Sequence, residues 1–275
     1  MRALFPAALE LRTQLMASQT TTSSSTATIL SAYWNESARP LVALAFVGPM
    51  VLIYEGGLFL LGPQAMRNGA DVWLRDLLNG VGFTQYFLLP FLTCAILLGW
   101  HHLNRERWKV NLNALYGMLL EAMLFGFVLL ILARSLTGLL SSAAVPSVPH
   151  MAFQHSGGFG HIISFLGAGI YEELVFRLML FPALASLLRL VGTPRRMSWV
   201  VSIFLSSLLF AAAHYQLDLM IGSHHLVTTV GDSFEWTSFL FRASAGVFFA
   251  SLFLSRGFGV AAGAHAFYDI LVSMV

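Results

Sequence analysis

Three short runs in the C-terminal half hold side chains able to move protons. They are Glu172-Glu173 with Arg177, then His214, then His265 with Asp269, each inside a stretch of apolar residues. A carboxylate in a dry site can act as a base near neutral pH, and an imidazole beside it can accept or donate a proton. Together such groups can activate a water against an amide carbonyl, with donors aimed at the oxygen that becomes negative. Spacing constrains the parts further. Glu173 and Arg177 are i, i+4 on a helix with the acid first, the better order for an ion pair. Glu172 points about 100° away and so faces another element. Phe210 and His214 share one helical face, as do His265 and Asp269. An ionisable residue at mid-span costs roughly 2.5–3.5 kcal/mol, so Glu172, Glu173 and Arg177 are tolerable there only if paired or facing a wet cavity.

The elements that must position these groups follow from composition. The chain has 275 residues, of which 57% are hydrophobic and 10% charged, with mean hydropathy +0.75. A soluble domain carries roughly 25% charged residues, so this chain lacks the polar surface to cover a globule in water. The apolar content excludes a disordered protein, and Cys94 as the only cysteine excludes a disulfide scaffold. Cys94 itself, with no base evident beside it, reads as a small core residue. Net charge +2 leaves no basic patch for nucleic acid.

A membrane helix needs about 20 mostly apolar residues. Seven such stretches lie at about 40–62, 84–103, 113–134, 159–182, 198–216, 237–255 and 258–275. The expectation is an all-α, polytopic membrane bundle, since helices satisfy their own backbone in lipid. No internal repeat and no strand-like alternation is evident. Residues 1–39 read as a flexible N-terminal tail around the Ser/Thr tract at 20–28, and Glu10 and Arg12 interrupt the stretch before it too early for a signal peptide. Residues 40–158 hold N-terminal transmembrane helices, and 159–275 the helices bearing the polar runs. GADVWLRDLLNG at 69–80 is amphipathic. It is either a helix lying in the membrane interface or an ordinary loop helix. On the N-terminal side of the membrane the segments hold ten Lys or Arg, including Arg39, Arg105, Arg107, Lys109, Arg195 and Arg196. By the positive-inside rule that side is cytoplasmic, and the C-terminus is outside.

Depth along the helices brings part of the site together. Glu172 lies 21 positions before Thr193 in the GTPRR turn and His214 lies 21 after it. In a symmetric hairpin the two sit at one level. His265 fits less well, being about seven residues, or roughly 10 Å, into its stretch. Tilt, or a break at Pro182, would have to bring the levels together. Glu55 and Glu121 are expected to pair with Arg242 or Arg134, or to line the same cavity. His101 and His102 read as interfacial, and the outer loop 217–236, with Asp218, His224, His225 and Asp232, as an unspecialised loop. Gly167, Gly169 and Gly263 read as points of close helix packing.

EELVFR, FAAAH and HAFYD in this order resemble the CAAX prenyl endopeptidase and bacteriocin-processing family of glutamate-type intramembrane proteases, over about residues 159–273. The family pattern is EExxxR, FxxxH and HxxxN or HxxxD. It falls here on Glu172, Glu173 and Arg177, on Phe210 and His214, and on His265 and Asp269. The resemblance implies that Glu172 activates water with His214, and that His265 and Asp269 stabilise the oxyanion. Glu173 and Arg177 would support the site, as would Phe210. Asp269 stands where eukaryotic members have Asn. It either donates when protonated or orients His265, and the second role suits both residues. Glu172, His214 and His265 would also make a zinc set, but HExxH is absent and the resemblance implies a metal-free mechanism. The expected partners are a peptide or protein substrate in or near the membrane, including leader peptides and C-terminal sorting tails, and the lipid bilayer, in a plasma membrane. The rival readings are a non-catalytic scaffold or immunity protein of the same fold, and a proton-coupled transporter using Glu55, Glu121 and Glu172.

Overall fold

The computed structural model describes residues 24–62, 65, 67–84, 86–140, 158–216, 218–221, 224–227 and 231–274. Residues 1–23 of the expected tail lie outside these. Helix α1 (Ser24–Ser37) corrects the rest of that expectation, because the second half of the stretch is helical. Ser and Thr are favoured where a helix begins, so a Ser/Thr tract does not by itself tell a tail from a helix start. Tertiary contact decides here. Tyr33 donates to Glu121 at 2.7 Å. Burial, and then this bond, hold the Tyr33 hydroxyl above its ordinary pKa, so it stays a donor.

Helix α2 (Pro40–Leu61) begins with proline in its first turn, where the missing N–H has no partner to lose. It stops at Gly62, whose φ of 69° closes the last turn onto Leu58 O. Then come α3 (Gly69–Gly80), α4 (Leu88–Asn104) and α5 (Leu112–Leu140). One helical run follows, made of α6 (Gly158–Gly167), two wide π-type turns at Ala168–Glu172 and Leu174–Leu180, and α7 (Phe181–Leu190). After α8 (Arg195–Ala212) the chain forms an antiparallel hairpin of β1 (Asp218–Ile221) and β2 (His224–Val227), which pairs Asp218 with Val227. Helices α9 (Trp236–Arg256) and α10 (Phe258–Met274) complete the bundle. The all-α expectation holds for the bundle, and the small hairpin inside loop 217–236 is the departure from it.

Pro40–Leu61, Leu112–Leu136, Arg195–Ala212 and Trp236–Arg256 are long and apolar enough to cross a membrane. Helices α4 and α10 are shorter apolar helices of 17 residues each. The run from Gly158 to Leu190 is helical throughout but is divided by its wide turns. The protein is therefore a polytopic helical bundle in which four of the seven expected stretches meet length and composition unaided. Tyr116, Leu120, Leu124 and Phe127 of α5 point outward, as on a helix facing lipid.

Helix α10 is the centre of the packing. Every residue from Phe258 to Ala266 is buried, with α5, α9, α2 and the first wide turn around it. Gly126 lets α5 approach so closely that a Cβ there would stand 3.1 Å from Ala264 O. The α9–α10 corner is packed against the residues just before α2. Gly257, with φ of 91°, lies against Ala38, and Arg256 beside it is bound to Glu121 at 2.5 and 2.6 Å. Helix α10 thus starts buried against its neighbours, and His265 is part of its buried first half.

Candidate active site

The helical run that carries Glu172 widens to i→i+5 bonding at Ala168–Glu172 and again at Leu174–Leu180. Such turns are rare and collect at functional sites. Glycines bring this run against its neighbours, as their sequence context suggests. A Cβ on Gly169 would run into Ala262 O of α10, and one on Gly167 would run into the Tyr54 ring. Close approach on the α10 side sets the two glutamates opposite His265.

The two oxygens of buried Glu172 have separate surroundings. Oε1 accepts from Asn68 Nδ2 at 2.8 Å. Oε2 faces His214 Nε2 at 3.6 Å and His265 Nε2 at 3.7 Å. Both separations exceed direct hydrogen-bond range, and Oε2 has no hydrogen-bond partner among the described residues. His214 Nδ1 lies 2.8 Å from Phe210 O. A carbonyl only accepts, so Nδ1 carries the proton and a neutral His214 presents a lone pair at Nε2. The two histidines differ in this respect. His265 Nδ1 lies 2.8 Å from Glu173 Oε1, and its Nε2 lies 3.7 Å from Asp269 Oδ2. Its ring stacks on Phe249 with centroids 4.4 Å apart and planes within 13°. Three carboxylates, Glu172, Glu173 and Asp269, therefore face one imidazole. The residue whose distance orients the ring is Glu173, not Asp269.

The i, i+4 pair forms as well. Arg177 Nε lies 3.3 Å from Glu173 Oε2, a charge contact without hydrogen-bond alignment. Arg177 Nη2 donates to Gly246 O of α9 at 3.1 Å, and its guanidinium lies 4.4 Å from the centre of the Phe210 ring. Glu173 and Arg177 thus tie three helical elements together around His265.

Several partners were not legible in the motifs. Asn68 is 104 positions from Glu172, and its one sequence signal is that Asn often precedes a helix start. Behind it lies a second polar cluster. Asp71, fully buried, accepts from Tyr54 Oη at 2.8 Å, Arg67 at 2.8 Å and Arg75 at 2.6 Å. Burial alone would lower the Arg67 pKa, but the hydrogen bonds and charge interactions with Asp71 and Tyr86 together outweigh it and hold the guanidinium above its ordinary value. Asp232 bridges to His214 through backbone hydrogen bonds, donating to His214 O at 2.9 Å. Its carboxylate takes Arg242 at 2.5 Å. One residue of the loop read as unspecialised therefore clamps the chain at His214, just past the end of α8.

The acids outside the motifs are paired, but not with the expected arginines. Glu55 binds Arg75 at 3.0 Å and Tyr171 Oη at 2.9 Å. Glu121 binds Arg256 and Tyr33. Arg134 is exposed. His101, expected at the interface, is buried edge-on against Trp108 at 4.7 Å. Among the described residues no set of three or more His, Cys, Asp or Glu is arranged to hold a metal ion.

Fold and side chains together define a polytopic helical membrane protein with a buried carboxylate–imidazole cluster assembled from separate helices. Residues 157–271 match the family model described as Rce1-like, type II CAAX prenyl endopeptidase. That stretch is similar to the CAAX protease-like domains, a family of peptidases, and it contains every motif residue from Glu172 to Asp269. No curated protein and no solved structure matches the chain.

Proposed function

We propose that the protein is an intramembrane endopeptidase in which Glu172 activates the attacking water. The observation that carries this reading is Glu172 Oε2, buried and unpartnered, with one imidazole nitrogen at 3.6 Å and another at 3.7 Å. A water between Oε2 and the His214 Nε2 lone pair donates one hydrogen to each. That leaves its own lone pair free to attack an amide carbon. Glu172 takes the proton as the C–O bond forms. The carbonyl oxygen becomes an oxyanion and accepts from His265 Nε2–H. For His265 to donate there while Nδ1 donates to Glu173, it must be an imidazolium, and the three carboxylates around it favour that form. Collapse breaks the C–N bond, and Glu172 returns its proton to the leaving amine. Glu173 holds the His265 ring, and Asp269 adds charge at its other nitrogen. No metal enters this scheme.

The substrate is a peptide or protein held in or near the bilayer, with leader peptides, small membrane peptides and C-terminally tagged exported proteins as the candidate classes. The basic residues on the N-terminal side support a plasma-membrane orientation with the N-terminus cytoplasmic and the C-terminus outside. Glu55 and Glu121 each have an arginine of their own, which weighs against a proton path through them. Membrane proteomics of cells carrying wild type or Glu172→Gln tests the proposal. Uncleaved precursors should accumulate with the variant. Full cellular function without any accumulated precursor would favour a scaffold or immunity protein instead.

A further inference from the structure

We infer that Asn68 is a positioning residue for Glu172, selecting which carboxylate oxygen faces the two histidines. This inference rests on the proposed role of Glu172 as base. Asn68 immediately precedes α3 with extended backbone, φ −65° and ψ 146°, and its Oδ1 accepts from Ala70 N at 2.8 Å. Its Nδ2 donates to Glu172 Oε1 at 2.8 Å. A backbone N–H only donates and an ionised carboxylate only accepts, so the two bonds fix the sense of the amide, and a flipped amide would lose both. One charge-assisted bond thus commits Oε1 and turns the carboxylate so that Oε2 stands between the imidazoles.

The segment bearing Asn68 is itself held on two sides of Glu172. Asn68 N donates to Tyr54 Oη at 3.3 Å, and Tyr54 donates in turn to Asp71 of α3. Arg75, also on α3, reaches Glu55 at 3.0 Å. Glu55 accepts from Tyr171, the residue next to Glu172 in the chain, at 2.9 Å. The polar side of α3 therefore faces the site, while Trp73 and Leu77 are exposed. An amphipathic helix that reads in sequence as either an interfacial helix or an ordinary loop helix follows directly on the residue that gives the base its donor.

Capping and positioning separate by substitution. Asn68→Ser and Asn68→Thr both keep a good helix cap without adding a charge. Neither presents an amide donor to Glu172, since both side chains are too short to reach it while capping. The full-length protein is assayed on the precursor that accumulates with Glu172→Gln. Both Asn68 variants should melt within about 2 °C of wild type. Both should lose about ten- to hundred-fold in kcat, with KM little changed. Wild-type kcat in Asn68→Ser, beside an inactive Glu172→Gln, overturns this inference alone. So does a fall in melting temperature in both variants large enough to account for the lost activity, because Asn68 would then be a cap and nothing more. A Glu172→Gln protein as active as wild type, or one with which no precursor accumulates, overturns the reading of Glu172 and this inference with it.

Discussion

Gly169→Ala adds one methyl group between the run that bears Glu172 and the helix that bears His265. The new Cβ would run into Ala262 O and stand 2.8 Å from Ala266 Cβ and 2.9 Å from Ala266 N. Two of those three atoms are backbone, so no change of rotamer relieves the contact. Ordinary van der Waals separation begins near 3.4 Å, and α10 must retreat by about 0.6 Å or more to reach it. His265 lies between Ala262 and Ala266 on α10 and moves with them, whereas Glu172 stays with Gly169. The present 3.7 Å between Glu172 Oε2 and His265 Nε2 widens by a similar amount. Overpacking of this kind costs about 1–3 kcal/mol of stability. Misplacing a catalytic group by about 1 Å can cost a hundred-fold, so a loss of about ten-fold or more in kcat is expected here. The measurements are precursor cleavage by purified protein and thermal melting in the same detergent. Wild-type kcat together with an unchanged melting temperature would refute the argument that this helix contact sets the site geometry.

Glu173→Gln removes the charge that faces both His265 and Arg177 and leaves a buried cation unpaired. Melting should show a loss of about 3–5 kcal/mol, and cleavage should fall to background; retention of both would remove Glu173 from the site. Asp269→Asn keeps the shape beside His265 and supplies an amide donor, so it should retain most activity, whereas Asp269→Ala should lose it. Equal rates for the two in a cleavage assay would leave Asp269 without a role. Glu121→Ala strands Arg256 at the α9–α10 corner and should destabilise the protein by about 3–5 kcal/mol. Thermal melting measures this, and an unchanged midpoint would contradict it. Dialysis of the purified protein against a chelator should leave the cleavage rate unchanged; loss of activity restored by added zinc would assign a metal to Glu172, His214 and His265.

How much of this was legible in the chain depends on the range of each interaction. The i, i+4 pair of Glu173 and Arg177 is local, and helix geometry alone anticipates it. Glu172 and His214 stand opposite each other because they are equally far from one tight turn, a relation the sequence also displays. His265 fits a residue count less well, yet it stands 3.7 Å from Glu172, because α10 packs against the wide turn at Ala168–Glu172, a contact that no count from a helix end displays. Glu55 and Glu121 were rightly read as paired, yet their arginines were misassigned. Arg75 and Arg256 reach them from 20 and 135 positions away, and no periodicity encodes such distances. Asn68 was missed for the same reason. Residues 24–37 read as tail because local composition outweighed what Tyr33 reaches once the bundle is formed.

The charges within the bundle also explain why the site needs partners beyond its motifs. Glu172, Glu173 and Asp269 face His265, and Arg177 faces Glu173. With all three acids ionised and His265 protonated, three negative charges meet two positive ones. The cluster keeps one net negative charge, and in a low-dielectric interior that excess is expensive unless hydrogen bonds disperse it. Asn68 supplies such a bond to Glu172 without adding a charge that would quench the base. An arginine at position 68 would neutralise the carboxylate more completely and leave it a poorer proton acceptor. The arginines near α3, Arg67 and Arg75, are instead bound to Asp71 and Glu55, so the second cluster balances itself one layer behind the amide. The positive charge needed to hold α3 against the bundle is thereby kept away from the oxygen that must take the proton.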